Sequence, residues 1–377
     1  MIQVFSNSLG ENELQGVARA FESRWVGKGP EHDALERELA AFWRVANPAH
    51  VLLFNCATSA IYVALRTLGI GPGDEVIIPS VHFVACAGAV LERRATPVFA
   101  DVDAHTLNVL PSEVERLRRK TRGVRAVIVN HYGGHPCDLE AVRDALPPGA
   151  FLIEDAANAV ASTYHGIACG TVGDVGVWSF DAMKELVMGD GGALFCASLP
   201  NAERARRLRY LGLLEATTSG AAAAGAGRDR WWAYDVVEPS GRFISNDILA
   251  AIGRVQLQRL PGFIARRREV WEFYQKHLAG VGDLRLPLEP PAGCTTSYYL
   301  YWIQTARRDD LARHLLERGI YTTFRYYPLH LVQRFGGGER LPSAERAAAV
   351  TLNLPLHQNL SEGDLWQIVA AVKEFYG

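Results

Sequence analysis

Between residues 50 and 196 the chain repeats one pattern: a short run of successive apolar residues, then a helical or turn segment, then another run. The runs fall at 51–54, 75–79, 97–100, 124–130, 151–154, 175–180 and 192–196. A strand with one wet face alternates apolar and polar residues, whereas a strand apolar on consecutive residues needs cover on both faces. The pattern predicts an α/β fold with a mainly parallel, seven-stranded sheet flanked by helices. In such sheets ligands gather at the loops beyond the carboxyl ends of the strands. Those loops are where functional residues are to be sought.

A chain of 377 residues exceeds one minimal domain and suits a large α/β domain with a smaller partner. Ile248, Ala251, Ile252 and Val255 recur at helical spacing within 247–260, and a strand over 298–305 and a helix over 309–318 follow. These predict a large domain over 1–240 and a small C-terminal α+β domain over 241–377. The stretch 217–227 is small and low in complexity, which predicts a mobile loop over 216–234; Trp231 and Trp232 beside it need a surface to pack on.

The formal net charge of −2 supplies no basic field, so neither nucleic acid nor an anionic membrane is an expected partner. No apolar stretch reaches about 18 residues, the length of a membrane-spanning helix, and the start of the chain lacks the basic and apolar regions of a secretory signal. Six cysteines occur without a CxxC pair and read as reduced packing thiols of a cytoplasmic protein. His135 and Cys137 have no second ligand pair nearby, so no metal site is expected.

Lys184 sits between two of the apolar runs, directly before Gly189-Asp190-Gly191-Gly192. In isolation such a lysine is a solvated loop residue. Held on a turn in a mostly apolar site, it could form a Schiff base, with burial lowering its pKa enough to free the amine. Asp155 ends the run 151–154 about thirty residues earlier. An acid at a strand end would keep the ring nitrogen of pyridoxal phosphate protonated, although alone it would serve as a helix cap. Asn55-Cys56-Ala57-Thr58-Ser59-Ala60 lies between the first run and an amphipathic helix over 61–68, which offers free N–H groups to a phosphate. Ser179 adds a hydroxyl, and Phe83 offers a face for a flat ring.

With these residues in place, the chain resembles the DegT/DnrJ/EryC1/StrS sugar aminotransferases, which are fold-type I pyridoxal-phosphate enzymes. The resemblance covers nearly the whole chain. It runs through Trp25-Val26-Gly27-Lys28-Gly29-Pro30, Asp74-Glu75-Val76-Ile77-Ile78-Pro79-Ser80, His131-Tyr132-Gly133-Gly134-His135-Pro136, Glu154-Asp155-Ala156-Ala157 and Ser179-Phe180 with Lys184. It ends with Tyr327-Pro328-Leu329-His330 and Leu354-Pro355-Leu356-His357. The resemblance implies Lys184 as the Schiff-base lysine, Asp155 at the pyridine nitrogen, Phe83 on the ring and Asn158 near the phenolic oxygen. It further implies Ala57, Thr58 and Ser179 at the phosphate.

Three positions depart from the family pattern. Ala57 replaces a glycine, Asp181 stands where histidine is usual, and Gly241-Arg242-Phe243 stands near a usual Gly-Tyr-Asn. Arg242 could serve the phosphate from the neighbouring subunit. These departures point to the subgroup that aminates C4 of 4-keto-6-deoxy nucleotide sugars in natural-product pathways.

The resemblance thus implies an aminotransferase moving an amino group from L-glutamate to a dTDP-4-keto-6-deoxyhexose. Pyridoxal 5'-phosphate would be the cofactor and pyridoxamine 5'-phosphate its amino-carrying form. It also implies a homodimer with the active site at its interface. Lys28, Arg242 and Arg266-Arg267-Arg268 are candidate cations for the nucleotide diphosphate, the last being otherwise a solvated helix face. Tyr326, Tyr327 and His330 are candidates for the sugar pocket, with packing an equal alternative. A C3-keto-sugar aminotransferase and a non-catalytic nucleotide-sugar-binding protein of the same fold are the alternatives. A dehydratase of this fold would carry histidine in place of Lys184. Gly69-Ile70-Gly71-Pro72-Gly73 precedes a strand, so it fits a turn and not a dinucleotide-binding loop.

Overall fold

The computed structural model describes residues 1–121, 123–214, 233–336 and 339–377. Two helices, α1 (Glu11–Glu22) and α2 (Pro30–Phe42), precede the sheet. Its strands are β1 (Val51–Phe54), β2 (Glu75–Pro79), β3 (Thr96–Ala100), β4 (Val124–Asn130), β5 (Phe151–Asp155), β8 (Val175–Ser179) and β9 (Gly192–Cys196); β6 (Thr163–Tyr164) and β7 (Ile167–Ala168) form a separate hairpin. The seven strands lie in the order β1-β9-β8-β5-β4-β2-β3. Pairing is parallel from β8 through β5, β4 and β2 to β3, while β9 runs antiparallel to both β8 and β1. Six strands therefore point one way and β9 alone is reversed.

The consecutive apolar runs have a simple cause. Along each strand, side chains alternate between faces, and each face has its own core. Leu53, Ile77, Val127, Leu152, Trp178 and Ala193 enter one core, beneath α2 and the helices α5 (Pro111–Lys120) and α6 (Leu139–Ala145). Their neighbours Leu52, Val76, Ala126, Ile153, Val177 and Leu194 enter the other, beneath α3 (Ala57–Thr67), α4 (Val84–Glu92) and α7 (Leu199–Arg209). Trp178 stacks on Trp43 with ring centroids 3.7 Å apart and closes the first core.

Two helices differ from expectation. The first turn of α3 begins at Ala57, four residues before the amphipathic pattern at 61; Ala57 and Thr58 line a cleft, and Ala57 also packs on the edge of the second core. The helix expected over 247–260 continues through Pro261 to Leu278. Proline removes one backbone hydrogen bond, yet packing holds the helix on both sides of it. Leu257, Leu260 and Phe263 lie in the first sheet core. Val270, Trp271, Tyr274 and Leu278 join a third core with strands β10 (Tyr301–Gln304) and β11 (Thr351–Leu354) and the helices Arg308–Glu317 and Glu362–Tyr376. The change of core thus falls inside this helix, between 263 and 270. The chain also returns across the boundary: Leu329 packs in the second sheet core, and Ile2 pairs with Ile320. Trp231, Trp232 and most of the expected loop lie outside the described residues.

Candidate active site

A cleft of about 300 Å³ opens over the carboxyl ends of β1, β2, β4, β5 and β8. Because β9 runs antiparallel to β8, the chain leaving Ser179 turns back within 180–191 and stays at that edge. Lys184 stands on this turn, its N–H donating to the Asp181 carbonyl (2.9 Å). Its side chain is 8% exposed. Nζ donates to Asn158 Oδ1 at 2.9 Å and lies 4.4 Å from the centroid of the Tyr299 ring. Burial acts to lower the lysine pKa, but Tyr299, Tyr326, Glu185 and Asp155 around it outweigh burial and hold it above the usual value. The expectation that burial would lower the pKa of the amine is therefore corrected: in the chain alone these neighbours shift Lys184 upward. The Tyr299 hydroxyl is pushed up to about 12 by burial.

Asp155 ends β5 beneath the same cleft. Its Oδ1 accepts the Ala157 N–H (2.9 Å), and its Oδ2 lies 3.1 Å from His82 Nε2 and 3.6 Å from Cys86 Sγ. Burial alone would raise its pKa, but the hydrogen bond and charge of His82, the Ala157 N–H and the Lys184 charge hold the carboxyl below its usual range. The Cys86 thiol is pushed up by burial and by Asp155. Across the cleft, the Ser59 N–H is taken by Cys56 Sγ (3.4 Å). The N–H groups of Ala57 and Thr58, in the first turn of α3, have no acceptor within the helix and suit an anion. Ser179, buried at the end of β8, adds its hydroxyl. The backbone fits here only because residue 192 is glycine: a Cβ on it would stand 2.5 Å from Ala57 N. Phe83 caps α4 with its side chain 48% exposed and its ring centroid 5.7 Å from that of Tyr326.

One cavity thus holds an amine, an ionised carboxylate, an aromatic face and a helix terminus for an anion. On its wall, Asn130 Oδ1 and His82 Nδ1 are buried without a partner. The donor set and the unpaired polar atoms suit a flat, phosphorylated heterocycle with an electrophilic carbon.

The cleft brings together Lys184, Asp155, Asn158, Ala57, Thr58, Ser179, Phe83 and Tyr326. Other expected residues lie off the cleft of their own chain. Lys28 pairs with Asp33 (2.5 Å). Arg242 lies over the Tyr210 ring, its guanidinium carbon 5.6 Å from the centroid. Tyr327 is 60% exposed outside the cleft. His330 is buried, with Nδ1 2.6 Å from Ser80 Oγ, so it ties the loop after β2 to the later chain and is not among the residues lining this cleft. Of the three arginines, Arg267 is buried and donates to the Tyr298 and Leu356 carbonyls, while Arg266 and Arg268 pair with Glu269 and Glu272 on their own helix. Sequence reading missed His82, Asn130, Tyr299 and Arg325. His82 and Asn130 were open to discovery, as polar residues at or just past strand ends; Tyr299 and Arg325 had no local signal.

Residues 7–373 match the DegT/DnrJ/EryC1/StrS aminotransferase family. The chain is 44% identical over 368 residues to the dTDP-4-dehydro-2,3,6-trideoxy-D-glucose 4-aminotransferase of Saccharopolyspora spinosa, covering 97% of this chain and 94% of that one. Among solved structures, the aminotransferase TlmJ from Streptoalloteichus hindustanus superposes with a TM-score of 0.92 at 47% identity, over 99% of this chain and 98% of that one. The sugar aminotransferase Spr1654 from Streptococcus pneumoniae, described as putative and solved in its PMP form, superposes with a TM-score of 0.88 at 26% identity, over 99% and 98% of the two chains.

Proposed function

The chain belongs to the DegT/DnrJ/EryC1/StrS aminotransferase family, and we propose that it moves an amino group from L-glutamate to C4 of a dTDP-linked 4-keto-6-deoxyhexose. The observation that carries the chemistry is the meeting of Lys184 and Asp155 in one cleft with the first turn of α3. The choice of C4 and of a dTDP sugar follows the Saccharopolyspora relative, 44% identical across 97% of this chain.

Pyridoxal 5'-phosphate, when bound, supplies an electron-accepting ring and carries the amino group as pyridoxamine 5'-phosphate. The Ala57 and Thr58 N–H groups and the Ser179 hydroxyl donate to its phosphate. Phe83 covers the ring face. Asp155 presents an ionised oxygen to the ring nitrogen, held in place by the Ala157 N–H and by His82. Asn158 accepts from Lys184 Nζ and fixes where the amine sits. Lys184 Nζ, in its neutral form, would take the proton from the donor's α-carbon and, in the reverse direction, give one to the sugar carbon, one base serving both directions. Lys28 and Arg242 lie off their own cleft and serve the neighbouring subunit's in a two-fold dimer, where the sugar diphosphate needs cations.

The test is an absorption spectrum of the protein with pyridoxal phosphate, before and after glutamate, for wild type and Lys184→Ala. A band at about 420 nm that moves to about 330 nm with glutamate, absent from the variant, supports the reading. No band, or identical behaviour of the variant, refutes it. Amination at C3 of the keto sugar, read by NMR of the product, would overturn the regiochemistry alone.

A further inference from the structure

We infer that Arg325 is the receptor for the α-carboxylate of the amino donor, a dicarboxylic α-amino acid, and for that of the 2-oxo acid it becomes; the inference rests on the aminotransferase reading above. Arg325 lies on the cleft wall with Met183, Lys184 and Tyr326. Its backbone is fixed from both sides, its N–H donating to Asn353 Oδ1 (3.0 Å) and its carbonyl accepting from the Tyr132 hydroxyl. The side chain is placed but not satisfied. Its guanidinium carbon lies 4.6 Å from the Phe5 ring centroid, and Nη2 donates to Met183 Sδ at 3.1 Å, the only side-chain hydrogen bond of this guanidinium among the described residues. A thioether is a weak acceptor for a group that carries five N–H donors. Arg254, by contrast, spends its fork on Glu38 and Glu31.

Two cations stand on one aromatic stack. The Phe5 and Tyr299 rings are stacked with centroids 5.5 Å apart; Arg325 lies against Phe5 and Lys184 against Tyr299. Tyr299 feels the charge of both. The donor's α-carboxylate is bonded to the carbon that carries the transferred nitrogen, so its receptor must sit beside the lysine. Arg325 meets that condition through Met183, the residue before Lys184. A sugar diphosphate is separated from C4 by the width of the hexose ring and must be held further out. The planar fork of arginine matches a carboxylate with two parallel hydrogen bonds, which the compact lysine ammonium does not.

The experiment measures dissociation constants of 2-oxoglutarate and of dTDP, by tryptophan fluorescence, for the pyridoxamine-phosphate-loaded wild type, Arg325→Gln and Arg325→Lys. The expected result is a loss of about tenfold to a hundredfold for 2-oxoglutarate in Arg325→Gln, a smaller loss in Arg325→Lys, and dTDP within about twofold of wild type. Because the backbone contacts do not involve the side chain, both variants should unfold at the wild-type temperature; were Arg325→Gln to unfold, Arg325→Lys reads the same constants. Unchanged 2-oxoglutarate binding, or an equal loss for dTDP, overturns the inference and leaves the aminotransferase reading intact. A wild type that binds neither cofactor nor 2-oxoglutarate overturns both.

Discussion

Replacing His82 with alanine should convert Asp155 from a poised anion into a buried acid. Asp155 is 8% exposed, so water cannot take over a lost hydrogen bond. Burial pushes its pKa up, and the two strongest opposing effects are the hydrogen bond and the charge of His82, ahead of the Ala157 N–H and Lys184. Without His82, burial wins and the folded pKa rises. The signs follow from linkage. In the wild type the folded pKa lies below the unfolded value of about 3.9, so the stability from Asp155 is present above that pH and lost as pH falls through the folded value. In the variant the folded pKa lies above it, and the ionised form is penalised at neutral pH.

A hydrogen bond to a charged group contributes about 1.5–3 kcal/mol. At pH 8 the variant should therefore bind pyridoxal phosphate about tenfold to a hundredfold more weakly. Below the new Asp155 pKa, each pH unit should widen the gap from wild type by up to about tenfold. The assay is the dissociation constant from quenching of tryptophan fluorescence between pH 5 and pH 9, with the cofactor's own titration removed by taking the ratio to wild type. His82→Gln, which keeps an N–H donor, should recover most of the loss at high pH. A ratio near one, or a ratio constant with pH, would refute the reasoning.

Two further outcomes follow from packing and from burial. Gly192→Ala places a Cβ 2.5 Å from Ala57 N and 2.7 Å from Cys56 C; overpacking of this kind costs about 1–3 kcal/mol and displaces the turn assigned to the phosphate. Urea unfolding should move to lower denaturant while cofactor affinity falls more than tenfold by the same fluorescence assay, and unchanged affinity would sink that assignment. Burial, as the largest cause, pushes the pKa of both His135 and His357 down to about 4. Above about pH 6.5 these imidazoles are neutral in both states and their contribution is full; between about 6.5 and about 4 the unfolded chain takes up protons that the folded chain refuses. Stability should fall there by up to about 1.4 kcal/mol per pH unit for each histidine. The His135→Gln, His357→Gln double variant should flatten that slope in urea titrations, and an unaltered slope would count against the assignment.

The sheet was legible because its cause is local: strands covered on both faces are apolar at every position, and Leu52 and Leu53 go to different cores. Asp155 was legible because it ends a strand, and Lys184 because it follows one, each in a motif of known order. What escaped the sequence depends on contacts between distant segments. Arg325 meets Met183 across 142 residues, and His330 meets Ser80 across 250. No spacing rule reaches that far, so the sequence left His330 open between the sugar pocket and packing, and the contact with Ser80 came only with the structure. The helical pattern covered only 247–260, whereas two cores grip the helix on either side of Pro261 and carry it to Leu278. The direction of the Lys184 pKa also turned on neighbours, since Tyr299 and Tyr326 come from far along the chain.

The one reversed strand explains why these pieces meet. A chain leaving β8 for a parallel neighbour would need a crossover of a dozen or more residues over a face of the sheet, carrying the segment after Ser179 away from the strand ends. By entering β9 antiparallel, the chain turns back within 180–191 and keeps Lys184 level with Asp155 and with the first turn of α3. Gly192 completes the arrangement by letting β9 pass directly beneath Ala57. The groups proposed to hold the cofactor therefore all come from the sheet and its loops. Arg325 and Tyr326 enter the cleft from the later chain, whose strands and helices pack in a separate core. The Arg325 side chain touches Met183 and Phe5 and none of the groups assigned to the ring, so substituting it can alter which donor is accepted without moving them, a division of labour that follows from the fold.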